Sequence, residues 1–306
     1  MDRISLLPNA IVRRLDKVAR DLLQPDGGRT LNFSRPAGEP ALSEPGSVAW
    51  RIFKNPLAVS IGGIAAVILE LAEPRVRTGV WRHSGFRANP LRRLQRTGFA
   101  AMGTVYGPRS VAEAMIEGVR RMHERVRGTT PSGEAYWAND PELLNWVQAT
   151  AAFGFLQAYH VYVSPLSRAD RDRYYEDGQI AARFYGATEP PRSEAEQEAA
   201  FLAMLPRLEA SPPIFEFLAI MRSAPILPPL LRPVQPFLVR AAIDLTPPSV
   251  REILGLGKDY GLRTWEKHMI RRGGLFADRM VLESSPAVQS CIRLGLPADY
   301  LYRARD

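Results

Sequence analysis

The apolar run from Leu57 to Leu69 constrains the fold of this chain most strongly. It stops at Glu70, so it is too short for a bilayer core about 30 Å thick, which needs about 20 residues. The run therefore predicts a helix buried in the protein core. Gly62 and Gly63 inside it would let either another helix or a flat cofactor approach the backbone, and helix packing is the simpler of the two explanations.

The rest of the chain shows helical periodicity in several places. The predicted segments are Glu142 to Tyr162, Arg168 to Phe184, Ser193 to Leu208, and Val250 to Gly255 continuing after Asp259. No run of alternating apolar and polar residues is long enough to indicate a sheet. The pattern predicts an all-α fold, a single multi-helix bundle.

The predicted helix from Glu142 to Tyr162 has a clear N-terminal signal. Asp140 is an N-cap residue, and Pro141 after it occupies the first helical position. The sequence that follows is strongly apolar, so this helix is expected to cross the core. Trp146, Phe153 and Phe155 in it are interpreted as packing residues rather than substrate contacts.

Two regions are rich in turn-forming residues. Residues 24 to 50 contain few apolar clusters and are expected to form an extended arm. Most of the excess among the 26 prolines falls between Pro206 and Pro248, where interleaved apolar residues predict short packed helices broken by prolines. We expect residues 1–50 to form an N-terminal helix and arm, and residues 51–306 to form one helical domain.

Charge and cysteine content limit the classes of function. The net charge of +8 suits nucleic acid or an anionic membrane, but basic and acidic residues alternate, as in Arg168 to Gly178. Without a zinc-finger, RNA-binding or phosphate-loop motif, no nucleic-acid partner is expected, and peripheral membrane association stays open. The single cysteine, Cys291, excludes an internal disulfide, and the N-terminus lacks the apolar core of a secretory signal. A cytoplasmic location, with or without membrane association, is expected.

The stretch from Asn89 to Gly128 carries the candidate site. Ser110 with Glu113 has the spacing of a capping box, and Gly128 suits a left-handed helix end, so a helix is predicted from Val111 to Arg127. Its apolar stripe would comprise Met115, Val119, Met122 and Val126.

His123 lies beside that stripe. Arg120 and Arg127 are three residues before it and four after, so the three side chains are predicted to share one helix face. An imidazole flanked by guanidiniums suits a haem, whose iron the imidazole would bind and whose propionates the arginines would meet. An ordinary helical histidine is the alternative. The chain has 40 Lys and Arg residues, of which only four are lysines, so arginines are common near any residue.

A second pair of residues precedes this helix. Asn89 followed by Pro90 marks a helix start, and it puts Arg93 and Thr97 one turn apart on the same face. They could offer a fixed cation and a hydroxyl to a ligand above that face. A solvated basic face, with Thr97 bonded to its own helix carbonyls, is the alternative.

Several segments in order resemble one known family. They are GGIAAVILELAEP at Gly62 to Pro74, VWRHSGFRANPLRRLQRT at Val80 to Thr97, RRMHERVRG at Arg120 to Gly128, GEAYWANDPELLNWV at Gly133 to Val147, and PPSVREILGL at Pro247 to Leu256. As a set they are similar to the MpaB-type oxygenases, formerly a domain of unknown function, which include the latex clearing protein, a rubber oxygenase. The resemblance implies an all-helical domain that encloses a pocket for haem b.

The resemblance also implies roles for individual residues. His123 would be the proximal iron ligand, Arg93 and Thr97 would lie on the distal side, and Arg120 and Arg127 would flank the proximal histidine. A distal lysine of the rubber oxygenase falls at Arg96 here. The catalytic glutamate proposed for that enzyme has only Glu70 and Glu73 as nearby candidates.

The activity implied is oxidation of a hydrophobic, unsaturated substrate, isoprenoid or lipid-like, by dioxygen. With one protein ligand, the iron would keep a position open for dioxygen, beside Arg93 and Thr97. A haem protein with a peroxidase-like or sensor role, and a basic helical module without haem that binds a membrane surface or nucleic acid, are the alternatives.

Three other histidines need an interpretation. His83, in the family-like WRHS segment, is a candidate to approach the haem pocket. His160 is either a second ligand or, more simply, a hydrogen-bonded core histidine. His268, in a charged region, is expected at the surface.

Overall fold

The computed structural model describes Asp16 and residues 31–229 and 231–303, and it confirms the all-α prediction. The predicted N-terminal helix lies outside the described residues except for Asp16, whose carboxylate accepts a 2.9 Å hydrogen bond from the Ser284 amide. The helices are α1 Val48–Phe53, α2 Pro56–Ala72, α3 Pro74–His83, α4 Pro90–Tyr106, α5 Arg109–His123, α6 Pro141–Tyr162, α7 Arg168–Tyr185, α8 Glu194–Met204, α9 Pro212–Ser223, α10 Gln235–Leu245, α11 Pro248–Ile253, α12 Thr264–Ala277 and α13 Pro286–Arg293. Short 3-10 helices occupy Leu205–Arg207, Arg232–Val234, Lys258–Tyr260 and Tyr300–Tyr302.

The apolar run predicted as a core helix is α2, and it crosses α6 at the centre of the molecule. Their backbones touch where two glycines meet. A Cβ on Gly154 would lie 2.4 Å from the Gly62 carbonyl oxygen, and a Cβ on Gly62 would lie 2.7 Å from Cα of Phe155. Neither position can carry a side chain without a backbone shift. Gly62 therefore serves helix packing, the simpler of the two explanations.

Side-chain caps fix where the core helices begin. The Asn55 side chain accepts from the amides of Leu57 and Ala58 at the start of α2, and its own amide donates to the Gly274 carbonyl, 3.0 Å away on α12. Asp140 accepts from the Glu142 amide at 2.9 Å, as the sequence predicts for α6. Each such cap contributes about 1 kcal/mol.

The aromatic residues of α6 pack in the core, as expected. Trp146 and Phe153 both lie against Phe201 of α8, with ring centroids 5.0 and 4.9 Å away, and Phe155 lies 4.6 Å from Phe53 of α1. These contacts join α1, α6 and α8 into one core. Burial of each large apolar side chain contributes about 1.5–3 kcal/mol.

The helix predicted from Val111 to Arg127 is wrong at both ends. It is α5, which begins at Arg109 after Pro108 and ends at His123. The predicted capping box does not form, because Glu113 pairs with Arg109 and the Ser110 amide donates to Glu39.

Beyond α5 the chain turns into a small antiparallel hairpin of β1 Arg127–Thr129 and β2 Ala135–Trp137, which the sequence did not predict. A Cβ on Gly128 would lie 2.8 Å from the hydroxyl of Tyr136. Gly128 thus lies in the hairpin, against the Tyr136 side chain, and not at a left-handed helix end.

Prolines break the C-terminal half into short helices, as predicted. The segment from Ser193 to Leu208 ends as a 3-10 helix that includes Pro206.

The N-terminal arm packs against α13, where the Arg293 guanidinium donates to the carbonyls of Glu39 and Phe33 at 2.8 and 2.7 Å.

The chain bends sharply between α2 and α3. Glu73 lies at this bend, is fully buried, and caps α3 by accepting from the Val76 amide at 2.7 Å.

Among the described residues no single helix is long and apolar enough to cross a membrane. The pair α2 and α3 meets the criterion of length and composition together, with a bend of 112° between them.

Candidate functional site

Three helices bring a carboxyl group, a guanidinium group and an imidazole together. Glu70 lies near the end of α2, Arg93 in the first part of α4, and His123 is the last residue of α5. The Arg93 guanidinium is close enough to both other groups to lower the pKa of each. The structure therefore brings together Arg93 and His123, two of the predicted site residues, with Glu70, one of the two candidate glutamates.

Glu70 is the carboxyl group of this cluster, and its pKa is shifted strongly. Burial raises its pKa to about 7, against the opposing influence of Arg93. Part of the side chain still reaches solvent, so the carboxyl lies deep without being sealed from water. A carboxyl with a pKa near 7 can both accept and release a proton at neutral pH.

Glu73, the other candidate glutamate, has a structural position. Its two carboxylate oxygens accept from Arg75 Nε and the Val76 amide, both at 2.7 Å. Arg75 extends the network to Glu142 at 2.9 Å. Both oxygens of Glu73 are thus engaged in capping α3 and in a buried ion pair, which leaves Glu70 as the glutamate of the cluster.

The His123 imidazole has an unusual neighbour in Asn139, which follows the hairpin. His123 Nδ1 and Asn139 Oδ1 are both shielded from water, and neither makes a hydrogen bond. Burial first, and Arg93 second, lower the pKa of His123, while the nearby Asn139 side chain opposes them. The Asn139 side chain therefore lies beside the imidazole.

Asn139 is held in place from the other side. Its amide donates to the Arg120 carbonyl at 3.0 Å, which anchors the side chain to α5 and leaves Oδ1 without a hydrogen bond. Sequence reasoning missed Asn139, because the residue is joined to His123 only through the unpredicted hairpin. No signal in the local sequence distinguishes it from an ordinary residue before a helix cap.

Arg93 and Thr97 lie on one face of α4, as expected from their spacing. Asn89 caps the helix by accepting from the Arg92 amide at 3.1 Å. The Arg93 guanidinium donates to the Thr97 hydroxyl, and that hydroxyl donates to the Arg93 carbonyl at 2.9 Å. Thr97 therefore makes the backbone bond of the simpler explanation and also fixes the guanidinium.

The environment of Arg93 is partly buried. Burial lowers the Arg93 pKa, Glu70 opposes this change, and Arg96 adds to it. Arg96, at the position of the rubber oxygenase lysine, is exposed, and its guanidinium lies 3.7 Å from the sulfur of Met122. This contact joins the outer faces of α4 and α5 beside His123.

The two arginines predicted to flank His123 do not share a helix face with each other. Arg120 is on α5, with an exposed side chain. Arg127 belongs to β1, and its guanidinium donates to the Glu124 carbonyl at 3.0 Å. The predicted common face is wrong for Arg127, because the helix ends four residues before it.

The other histidines have local partners. His83 is exposed, and its Nε2 lies 3.1 Å from the hydroxyl of Tyr136. His160 Nδ1 accepts from the Leu166 amide at 2.9 Å, in agreement with a hydrogen-bonded core histidine. His268 is at the surface, as expected.

Two observations concern other places where a ligand could bind. Among residues 31–229 and 231–303 and Asp16, no group of three or more His, Cys, Asp or Glu side chains is arranged to hold a bare metal ion. A surface cavity of about 500 Å³ is lined by Arg222, Pro236, Arg240, Asp259 and Tyr260. None of these residues lies on α2, α4 or α5.

The pKa of Glu70 predicts how stability depends on pH. The folded pKa of about 7 exceeds the ordinary value of 4.5, so ionisation of Glu70 opposes folding. The penalty is absent below about pH 4.5, grows between there and about pH 7, and reaches at most about 3 kcal/mol above it. In urea unfolding at pH 5 and pH 8, Glu70→Gln should reduce the loss of unfolding free energy with rising pH. The exposed-glutamate control Glu252→Gln should not, and identical pH dependence in wild type and Glu70→Gln would contradict the assignment.

The family of the chain follows from sequence comparison. The model of a family described as ER-bound oxygenase mpaB/B′ and rubber oxygenase, catalytic domain, matches residues 50–277. No curated protein and no solved structure matches the chain. The protein is an all-helical enzyme of the oxygenase class. Because the match covers most of the chain, it belongs to this mpaB and rubber oxygenase family, as its sequence motifs indicated.

Proposed function

We propose that this protein is a haem b-dependent oxygenase that uses dioxygen to oxidise a hydrophobic, unsaturated molecule of isoprenoid or lipid type. The observation that carries the proposal is the buried pair of His123 Nδ1 and Asn139 Oδ1, neither of which makes a hydrogen bond. Metal-binding histidines usually donate their second ring N–H to an oxygen acceptor, which fixes the tautomer and orients the ring.

The residues fit a haem through this arrangement. With a proton on Nδ1 facing Asn139, the other nitrogen, Nε2, keeps its lone pair for iron. The lowered pKa of His123 supports a neutral imidazole. A single imidazole would suffice to hold an iron whose other permanent ligands are the porphyrin nitrogens. Haem bound here would supply the binding and activation of dioxygen.

Arg93 would supply the positive charge of the reaction site. Its guanidinium lies within electrostatic reach of both His123 and Glu70. In a partly buried site, a fixed cation stabilises developing negative charge more than it would in water. Thr97 would act by holding the guanidinium, because its own hydroxyl proton is given to the Arg93 carbonyl.

Glu70 would hold and move a proton. A pKa of about 7 lets this carboxyl remove a proton from a substrate carbon or return one at neutral pH. Glu73 is excluded from this role by its engaged carboxylate oxygens.

The surroundings of His123 support a hydrophobic ligand with an acidic edge. Met122, next to His123, is 46% exposed, and the exposed cations Arg120 and Arg127 lie on either side along the chain. We assign Arg120, which is on the same helix as His123, to a carboxylate group of the porphyrin. Arg127 is assigned no role at the haem, because it lies on the hairpin and donates to the Glu124 carbonyl.

The activity is tested by supplying the haem-loaded protein with ¹⁸O₂ and a polyunsaturated isoprenoid such as squalene. The proposal expects carbonyl products that carry ¹⁸O and oxygen uptake that depends on the substrate. Haem binding without any substrate-dependent oxygen uptake across isoprenoid and fatty-acid panels would instead indicate a haem protein with another role.

Asn139 gives a prediction that does not rely on turnover. Asn139→Asp should lower the reduction potential of the bound haem, because a stronger acceptor makes His123 a more basic ligand and stabilises ferric iron. Asn139→Ala should raise the potential and weaken haem binding about tenfold or more. Spectroelectrochemical titration measures both.

The two variants separate this role from a structural one. Both lose the amide that donates to the Arg120 carbonyl, so a purely structural role would shift their potentials in the same direction. Opposite shifts are expected. Equal shifts, or none, would remove Asn139 from the site.

A further inference from the structure

Helix α12 exposes a concentration of large apolar side chains. Trp265 is 55% exposed, Met269 37%, Leu275 47% and Phe276 43%. Scattered single apolar residues on a surface are ordinary, but a contiguous group usually marks a place of interaction. These four lie on one helix of 14 residues.

The exposed side is distinct from the side that anchors α12 to the protein. Glu266, Ile270 and Gly274, spaced four residues apart, are buried. A Cβ on Gly274 would lie 2.3 Å from the Tyr162 carbonyl oxygen, so α12 packs directly on the end of α6. The helix is therefore a rigid platform whose outer side faces solvent.

On that outer side the apolar residues are aligned. Trp265, Met269 and Phe276 are spaced by four and seven residues, which puts them in one line along the helix. Trp265 is steadied by an edge contact with Phe237 of α10, 5.8 Å between ring centroids. Leu275 lies beside this line, among the basic residues.

The rest of the outer side is cationic. Exposed basic residues of α12 and its two flanks are Arg263, Lys267, Arg271, Arg272 and Arg279. The two acids of α12 and its C-cap are paired within the protein. Glu266 is buried and pairs with Arg240 at 3.2 Å, and Asp278 pairs with Lys54 at 3.0 Å.

We propose that this side of α12 docks on a bilayer that contains anionic lipids, with Trp265, Met269 and Phe276 in the headgroup boundary. A helix with Trp and Phe on one face and Lys and Arg beside them binds membranes in this way. Anionic headgroups attract juxtaposed cations by about 1 kcal/mol each, and long basic side chains reach headgroups while their stems stay in apolar surroundings.

The same residues fit other occupants less well. A second copy of the chain, joined by two-fold symmetry through this face, would bring Arg271 and Arg272 against the same cations of its partner. Single-stranded nucleic acid prefers planar aromatic platforms, whereas Met269 and Leu275 are aliphatic and flexible. The surface is separate from His123 and does not depend on a haem.

Vesicle co-sedimentation of the full chain tests the proposal. Wild type should bind vesicles of phosphatidylcholine mixed with phosphatidylglycerol, and bind pure phosphatidylcholine at least about tenfold more weakly. Trp265→Ser with Phe276→Ser should weaken binding to the mixed vesicles about tenfold or more. Arg271→Glu with Arg272→Glu should abolish the preference for phosphatidylglycerol.

The matched control replaces exposed apolar residues elsewhere. Ile180 and Leu202 are 50% and 65% exposed, and Ile180→Ser with Leu202→Ser should bind like wild type. All changed side chains are exposed, so circular dichroism should show each variant folded. No binding by wild type, equal loss in the control, or a dimer or nucleic-acid complex that the α12 variants abolish would overturn the proposal.

Discussion

A His123→Ala variant is expected to lose stable haem binding, with the apparent affinity reduced by at least about 100-fold. His123 Nδ1 and Asn139 Oδ1 are both buried without a hydrogen bond, and His123 is the residue proposed to bind the iron, a bond that other contacts to the porphyrin would not replace. Titration of haem into the variant should give no saturable Soret band. A His123→Gly variant should regain the band when imidazole is added, because the free ring can enter the space left by the side chain.

The matched control is His268→Ala. His268 is a surface histidine that bonds only its own helix carbonyl, at 2.8 Å, so its removal should leave the haem spectrum and affinity unchanged. Circular dichroism of the His123 variants should match wild type, since the imidazole nitrogen gives up no hydrogen bond. An unchanged Soret band in His123→Ala would show that another residue holds the iron.

Arg93→Ala is expected to keep haem and lose catalysis. The oxygen-dependent kcat should fall about 100-fold or more, the usual cost of deleting a group that stabilises developing charge. The apparent pKa of Glu70 should also rise above about 7, because Arg93 lowers it in the wild type. If Glu70 must be ionised to act as a base, the rising limb of the pH–rate profile should move to higher pH.

Two variants sharpen the Arg93 result. Arg93→Lys keeps the charge without the forked geometry and should recover only part of the rate. Arg92→Ala, which removes the adjacent exposed arginine, should behave like wild type. Undiminished turnover in Arg93→Ala would take this residue out of the mechanism and leave Glu70 with no cation to tune it.

The helices of the fold were predictable because their signals are local. The apolar run of α2, the Asp140 cap of α6 and the Asn89 cap of α4 each lie within a few residues of the element they define. Proline breaks in the C-terminal half are local for the same reason. The spacing of Arg93 and Thr97 likewise follows from one helix.

Features that depend on distant contacts were not predictable. The spacing of Ser110 and Glu113 fits a capping box, yet Glu39 from the arm takes the Ser110 amide. Gly128 suits a helix end, yet it lies in the hairpin and contacts the Tyr136 side chain there. Because of this hairpin, Arg127 leaves the His123 face and Asn139 arrives there.

The choice between Glu70 and Glu73 also needed the structure. Both acids end the same apolar segment, and only the ion pair of Glu73 with Arg75 separates a structural carboxylate from a titratable one. Recognition of the family came from ordered motifs, and the match over residues 50–277 confirms it.

The most direct test of the proposed function is a haem titration of the purified wild-type chain, followed by absorption spectroscopy. The proposal predicts a Soret band that saturates at one haem per chain and shifts when dithionite reduces the iron. A folded wild-type protein that yields no saturable band, under conditions in which haem stays monomeric, would contradict it.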